Sequence, residues 1–381
     1  MPKDTNNGRR MDTGPRRVSR RCMLRTSLLT KGLIAGSVVL PFHSAIAAPP
    51  ASQQVAVNPQ QGRLVYAKAS KPIVLTPVSR DFKNTIVRAM TADAQGKFIA
   101  VAGDDHAIRI LDATSLGTVA TLQEHTDLIR TMDFSEDGRY LASAGNDGQL
   151  IVWDCQREFR IRQRMQGSLA LACVRFSPDG KELAAVGFKN EVYLFARGKR
   201  LSRPQAQCDC TDLRALAYRS DGKLLVVGGR SGQLHLFDRT TGKLIGDFAV
   251  HSGRIHSLAF LGDSPVVASV AEDGRVVLFD TEKQAVQSRI NVANGKLFAI
   301  SVLDAQHLAV SGSDNVVRIV DCEQGRATEA LRGHTGSVAA LTCSGELLLS
   351  GGYDATLRRW QLTGLSGGRE RIAERQNPLD R

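Results

Sequence analysis

Short runs of alternating apolar and polar residues, separated by Asp-Gly pairs, recur along most of the chain. In one unit LIRTMDF is followed by SEDG, RYLASAG, NDG and QLIVWD, which ends at Asp154. The alternation predicts half-buried strands, and the Asp-Gly pairs predict tight hairpin turns, because both residues tolerate positive φ. Each unit therefore predicts three clear antiparallel strands and a shorter fourth, such as TVATL at 118–122.

These units follow one another at an almost constant interval. The third strand of each unit ends at Asp112, Asp154, Ala196, Asp238, Asp280, Asp321 and Gln361, at intervals of 42, 42, 42, 42, 41 and 40 residues. Seven copies this evenly spaced indicate a repeat array, in which each sheet buries its faces against its neighbours.

A set of polar residues recurs at fixed positions in three of the units. The sets are His125, Ser143, Asp147 and Trp153; His251, Ser269 and Asp273, with Phe279 in the Trp position; and His334, Ser350, Asp354 and Trp360. With these residues, the segment from about 63 to 361 resembles the WD-repeat family. The resemblance implies an all-β fold: a seven-bladed WD-repeat β-propeller with four antiparallel strands per blade, closed by an N-terminal strand at 73–75.

The His-Ser-Asp sets raise the question of catalysis. The resemblance implies instead that each set is a hydrogen-bonded chain that holds its blade together. A catalytic triad is defined by geometry and roles, and no single active site requires the same triplet in several blades. We therefore expect no catalytic residue, no enzyme activity and no cofactor.

The ends of the chain differ from the repeats. Residues 1–47 contain SRRCMLR at 19–25, the apolar stretch GLIAGSVVLPF and the small-residue pattern Ala45-x-Ala47. They resemble a twin-arginine export signal, which implies the bacterial periplasm. The alternatives are a disordered basic tail in a cytoplasmic protein and an organellar transit peptide. Residues 48–62 are predicted to be a linker, 63–361 the propeller and 362–381 a polar tail.

The net charge of +12 is unevenly distributed. Residues 1–47 hold nine Lys or Arg against two Asp, so about +5 belongs to the rest. This modest charge argues against broad affinity for nucleic acid.

The seven cysteines give little support for a metal site. Cys173 and Cys343 fall on predicted inner strands, where a thiol acts as a small apolar group. Cys208 and Cys210 form a CDC motif without a second pair of ligands, which favours loop thiols over a metal site. If the protein is exported, one of these two could be oxidised.

The resemblance implies a partner surface on the channel face that carries the loops before the innermost strands. The positions transferred from the family bring basic and aromatic residues together on this face. The basic residues would bind an acidic segment over blades one, two, four and five, and the aromatic residues would add apolar contact. The basic residues are Arg88, Arg130, Arg214, Arg230, Arg254, His256 and Lys296, and the aromatic residues are Phe188, Phe298 and Tyr353. The opposing interpretation is a solvated rim in which Asp104, Asp212 and Glu272 neutralise these groups.

Three functions are consistent with these features. The first is a non-enzymatic scaffold that binds a protein or peptide. The others are an exported propeller enzyme or small-molecule binder that uses the central channel, and a binder of anionic polymers, for which affinity should fall steeply with salt.

Overall fold

The computed structural model describes residues 65–66, 71–78, 83–166, 170–196, 206–207 and 210–363. These residues form seven antiparallel sheets, the blades. Six are built from consecutive strands of the chain, and the seventh adds two short strands from the N-terminal part. The predictions for residues 1–47 and 48–62, for most of the polar tail and for Cys208 fall outside the described residues.

Each blade begins at the channel with an innermost strand. These strands are β3 Val87–Ala92, β7 Ile129–Phe134, β11 Leu171–Phe176, β15 Leu213–Tyr218, β19 Ile255–Phe260, β23 Leu297–Val302 and β27 Val338–Ser344. The second strands are β4 Phe98–Gly103, β8 Tyr140–Gly145, β12 Glu182–Gly187, β16 Leu224–Gly229, β20 Val266–Ala271, β24 His307–Gly312 and β28 Leu347–Gly352. The second strands are the most deeply buried because blades cover both of their faces.

The third and fourth strands complete each blade towards the outside. The third strands are β5 Ile108–Asp112, β9 Gln149–Asp154, β13 Glu191–Ala196, β17 Gln233–Asp238, β21 Arg275–Asp280, β25 Val317–Asp321 and β29 Thr356–Thr363. The fourth strands of the first six blades are β6 Thr118–Leu122, β10 Arg160–Gln166, β14 Ala206–Gln207, β18 Leu244–Ala249, β22 Ala285–Asn291 and β26 Arg326–Leu331. One short 3₁₀ turn, Cys155–Arg157, follows β9.

The seventh blade is closed by the N-terminal part of the chain. Strand β2, Ile73–Val74, pairs with β29 through Ile73 opposite Leu357, which confirms the expected closure. An additional short strand, β1 Val65–Tyr66, pairs further along β29 with Leu362 and Thr363. Strand β29 therefore extends two residues beyond the expected end at Gln361, because Leu362 continues the buried apolar pattern.

The core lies between adjacent blades. One apolar cluster joins blades one and two through Ile110, Ile129 and Trp153. Another joins the last blade to the first, and Leu75, just after β2, packs in it. Residues 71–78, which we call the closing segment, thus contribute to the packing between the first and last blades as well as to strand pairing.

Blade one has an ion pair where blades two, five and seven have the His-Ser-Asp set. Arg109 Nη2 lies 2.5 Å from Asp105 Oδ2, and both side chains are almost fully buried. Asp105 also accepts from Thr85 Oγ1 and Val78 N, while Arg109 donates to the Thr76 carbonyl. Burial alone would raise the pKa of Asp105, but these hydrogen bonds and the Arg109 charge hold it below its usual value. The pair therefore fixes the closing segment to blade one.

Candidate functional site: the channel mouth

A β-bulge occurs at the start of every innermost strand. Pairing with the second strand skips one residue in each of the seven blades, between the first and third positions. The skipped residues are Arg88, Arg130, Ala172, Arg214, His256, Phe298 and Ala339. A bulge leaves its residue unpaired and redirects the side chain. We call these seven residues the collar.

The collar surrounds a cavity of about 120 Å³ at the mouth of the central channel. The next residue along each inner strand is small, and these positions line the cavity: Ala89, Thr131, Cys173, Ala215, Ser257, Ala299 and Ala340. The following residues are larger and apolar, among them Met90, Leu216 and Leu341. The mouth is therefore a ring that carries three arginines, followed down the channel by a layer of small residues and then by mostly larger apolar ones.

Three arginines of the collar lie close enough to repel one another. Burial lowers the pKa of Arg130, and the charges of Arg88 and Arg214 lower it further. Arg130 and Arg214 both lie over the ring of Phe188, at 5.1 and 4.1 Å from its centroid. The exposed Phe188 thus makes cation–π contacts that hold two like charges in place.

These arginines differ in their polar partners. Arg88 has no ion pair or side-chain hydrogen bond among the described residues, and the nearby Asp104 accepts from the Ile86 N–H instead. Arg130 donates to the Asn146 side chain, which carries no charge. The positive charge of Arg88 and Arg130 is therefore uncompensated by a paired carboxylate in the described part of the chain.

The blade-four and blade-five side of the mouth is neutralised locally. Asp212 lies 2.5 Å from Arg214 Nε, without hydrogen-bond alignment, and 3.0 Å from Arg254. Glu272 contacts Arg254, His256 and Lys296 at 3.2 to 3.3 Å. The solvated-rim interpretation therefore describes this side of the mouth.

His256 adds no positive charge near neutral pH. Burial lowers its pKa to about 4, although its hydrogen bond to Glu272 opposes the shift. Its ring packs edge-on against Phe298, with centroids 5.2 Å apart. Both residues are half-buried, so they act as a wall of the cavity.

Two other expected partner residues lie at the rim with exposed side chains. Tyr353 is 48% exposed and lies close enough to Arg130 to influence the pKa of its guanidinium. Arg230 is exposed and has no ion pair among the residues described.

Two residues of opposite charge, which the sequence analysis did not name, lie deeper in the channel. Asp133 and Arg175 occupy the same position in blades two and three, and Arg175 lines the cavity. Burial raises the pKa of Asp133 to about 6, while the Arg175 charge and the hydrogen bond from Phe176 N oppose the shift. The 42-residue spacing of the two positions was the signal that could have revealed them.

The His-Ser-Asp sets form hydrogen-bonded chains inside their blades. In blade two, Trp153 Nε1 donates to Ser143 Oγ at 2.9 Å, and His125 lies 2.8 Å from Ser143 Oγ and 2.7 Å from Asp147 Oδ2. Blade seven repeats this with Trp360, Ser350, His334 and Asp354. In blade five, His251 bridges Ser269 and Asp273, and Ser269 donates to the Val277 carbonyl.

In blades two and seven, the direction of the chain fits a neutral histidine. Trp donates to Ser, so the Ser hydroxyl can donate to His Nε2 and His Nδ1–H to Asp. Burial lowers the pKa of His125, His251 and His334, although the neighbouring Asp opposes the shift. Each of these Ser side chains is fully buried, so the hydrogen-bonded chain acts as a structural link between strands.

The described residues offer little support for a metal site or a reactive thiol. The described residues contain no cluster of three or more His, Cys, Asp or Glu able to hold a metal ion. Burial raises the pKa of the Cys155, Cys322 and Cys343 thiols to about 12. Cys210 is buried and donates to the Thr211 carbonyl.

Comparison with known families identifies repeats at three places. Residues 117–154 and 325–361 match the model of the WD domain, G-beta repeat, and 181–263 match that of the anaphase-promoting complex subunit 4 WD40 domain. The first two matches contain the Trp-bearing sets of blades two and seven. Together with the seven blades, these matches support a WD-repeat propeller.

Propellers of this class commonly act as scaffolds for protein interactions. In the described part of this chain, no helix is long and apolar enough to span a membrane.

Proposed function

We propose that this protein is a non-enzymatic scaffold that binds an acidic segment of a protein partner at the channel mouth. The observation that carries the proposal is the uncompensated charge of Arg88 and Arg130. Guanidinium groups bind carboxylates through paired, charge-assisted hydrogen bonds, and arginine is enriched at interface hot spots.

The partner would contact the side of the mouth formed by blades one and two. Arg214, Arg254 and Lys296, on the other side, already pair with Asp212 or Glu272. Binding an acidic group there would require these internal pairs to break, which reduces the net gain. The proposed footprint is therefore narrower than the four-blade surface expected from the sequence.

Exposed aromatic side chains supply the apolar part of this surface. Phe188 is 38% and Tyr353 is 48% exposed, and both lie close to Arg130. Aromatic side chains give large contact areas at low entropic cost, and tyrosine can also hydrogen-bond. Acidic residues flanked by an apolar residue are thus the partner sequence that fits best.

Reversing the two uncompensated charges should abolish recovery of the partner from native cells. In the double variant Arg88→Glu with Arg130→Glu, carboxylates replace both guanidiniums and no buried acid of this chain loses its partner. Affinity purification followed by mass spectrometry should show a loss of about tenfold or more, since buried charge reversal costs several kcal/mol.

The matched control changes the same number of charges on the opposite face. Lys223 and Lys243 are exposed and lie in the turns at the other end of blade four. Lys223→Glu with Lys243→Glu should leave recovery unchanged. Equal recovery with both double variants would rule out the channel mouth as the binding surface.

We also propose that the protein is exported, on the basis of the twin-arginine-like sequence at 19–25 and the Ala45-x-Ala47 pattern. The expected mature chain begins at Ala48. Intact-mass analysis of the protein from fractionated native cells tests this, and a full-length chain confined to the cytoplasm would contradict it.

A further inference from the structure

We propose that the cavity beneath the collar binds one small oxyanion, a carboxylate or phosphate group, between Arg88, Arg130 and Arg214. This inference rests on the proposed function and deepens it by assigning the acidic group of the partner to the cavity at the channel mouth.

The cavity has room for a small oxyanion. Its volume of about 120 Å³ is well above the roughly 10–15 Å³ that one water needs on the same measure, so a single carboxylate or phosphate group fits. The small residues below the collar, such as Ala89 and Ala215, leave room for the group.

The chemistry of the lining selects an anion. Arg88, Arg130, Arg214 and the deeper Arg175 all line the cavity, and no described lining residue carries a carboxylate. Guanidinium groups only donate hydrogen bonds, in a planar fork that suits two oxygens of one acceptor. An oxyanion would satisfy several of these donors at once.

The electrostatics of the cavity favour an anion. The charges of Arg88 and Arg214 both act against that of Arg130, and burial reduces screening by water. Arg130 and Arg214 both contact the ring of Phe188, which favours keeping the two guanidiniums close together. Asp212 offsets part of the Arg214 charge, so the anion would mainly compensate Arg88 and Arg130.

Two of the seven collar positions keep the mouth open. Ala172 lies between Arg130 and Arg214 in the order of blades, and Ala339 lies beside Arg88 across the closure of the propeller. A longer side chain at either position would reach the space in which we place the anion. Ala172 therefore offers a substitution that tests the site without removing any arginine.

The full-length protein is titrated with inorganic phosphate and, separately, with acetate, at constant ionic strength. Calorimetry measures the binding, and thermal unfolding measures the change in stability. We expect phosphate to bind saturably. Arg88→Gln should weaken this binding about tenfold, the effect of one charge-assisted hydrogen bond. Acetate in place of phosphate distinguishes a carboxylate from a phosphate as the preferred group.

Ala172→Glu is the second variant. Its carboxylate should occupy the site, abolish saturable phosphate binding and raise the thermal midpoint in chloride. Phosphate also stabilises proteins generally by exclusion from their surface. A non-saturating effect that is equal in wild type and both variants would therefore overturn the proposal.

The outcomes separate this site from the partner surface. Loss of partner recovery in the Arg88→Glu, Arg130→Glu variant, without saturable phosphate or acetate binding to the wild type, would overturn the pocket and keep the interaction surface. Saturable binding that Arg88→Gln weakens, together with unchanged partner recovery, would support the pocket and place the partner elsewhere.

Discussion

Asp105→Ala should lower the free energy of unfolding by about 3–5 kcal/mol, because it leaves the buried Arg109 charge without its carboxylate. The same change removes the acceptor of the Val78 N–H, which fixes the closing segment. Denaturant unfolding of the full-length protein measures the loss. We also expect protease cleavage near the closing segment to become faster.

Blade six provides a matched control for this substitution. Asp314 pairs with Arg318 at the same four-residue spacing, but their side chains are 29% and 16% exposed. Asp314→Ala should therefore cost about 1 kcal/mol or less. Asp105→Ala combined with Arg109→Leu should recover stability, since an apolar pair avoids the unpaired charge. Equal losses at Asp105 and Asp314 would contradict the closing role of the first pair.

Trp360→Ala should destabilise the protein by about 3–5 kcal/mol, the usual cost of removing a fully buried large aromatic side chain. Trp360 packs in the cluster between blades six and seven and donates to Ser350. Because β29 carries Trp360 and pairs with both closing strands, the loss should affect closure as well as packing. Thermal and denaturant unfolding measure this effect.

Trp360→Phe separates packing from hydrogen bonding. Blade five already has Phe279 in this position, and Ser269 there donates to a backbone carbonyl. The Phe variant should therefore cost only about 1–2 kcal/mol, mainly for the lost donor. A Phe variant as unstable as the Ala variant would show that the hydrogen bond, rather than packing, carries the effect.

The sequence was sufficient to predict the blades because their local signals agree. Alternating strands, Asp-Gly turns and a near-constant spacing all specify the same sheet in each repeat. The closing strand was also predictable at Ile73–Val74. The short β1 and the end of β29 at Thr363 were not predicted.

The blade anchors were predictable only where they follow the family pattern. Blade one satisfies Asp105 with Arg109 and Thr85, which sequence spacing alone did not reveal as a substitute for histidine. The spacing Asp-x-x-x-Arg recurs at Asp314 and Arg318 and was the available signal. The spacing marks the candidate pair, and the three-dimensional contact shows that it anchors the blade.

Five of the seven collar residues, all but Ala172 and Ala339, were named from the sequence as candidate partner residues, but their ion pairs were not. Counting basic residues treats Arg88 and Arg254 alike, whereas Arg254 pairs with two carboxylates and Arg88 with none among the described residues. The bulges that redirect these side chains also leave no mark in the sequence. The bulges form within each blade, whereas Arg254 pairs with a carboxylate of its own blade and with one of blade four.

The central claim is that the partner binds at the channel mouth, and site-specific photo-crosslinking in native cells tests it most directly. A photoreactive phenylalanine analogue replaces Tyr353 at the mouth or Ile245 on the outer strand β18, two positions with similar exposure of 48% and 45%. We predict a crosslinked partner from position 353 that disappears with Arg88→Glu and Arg130→Glu. A partner that crosslinks from position 245 and not from 353 would contradict the account.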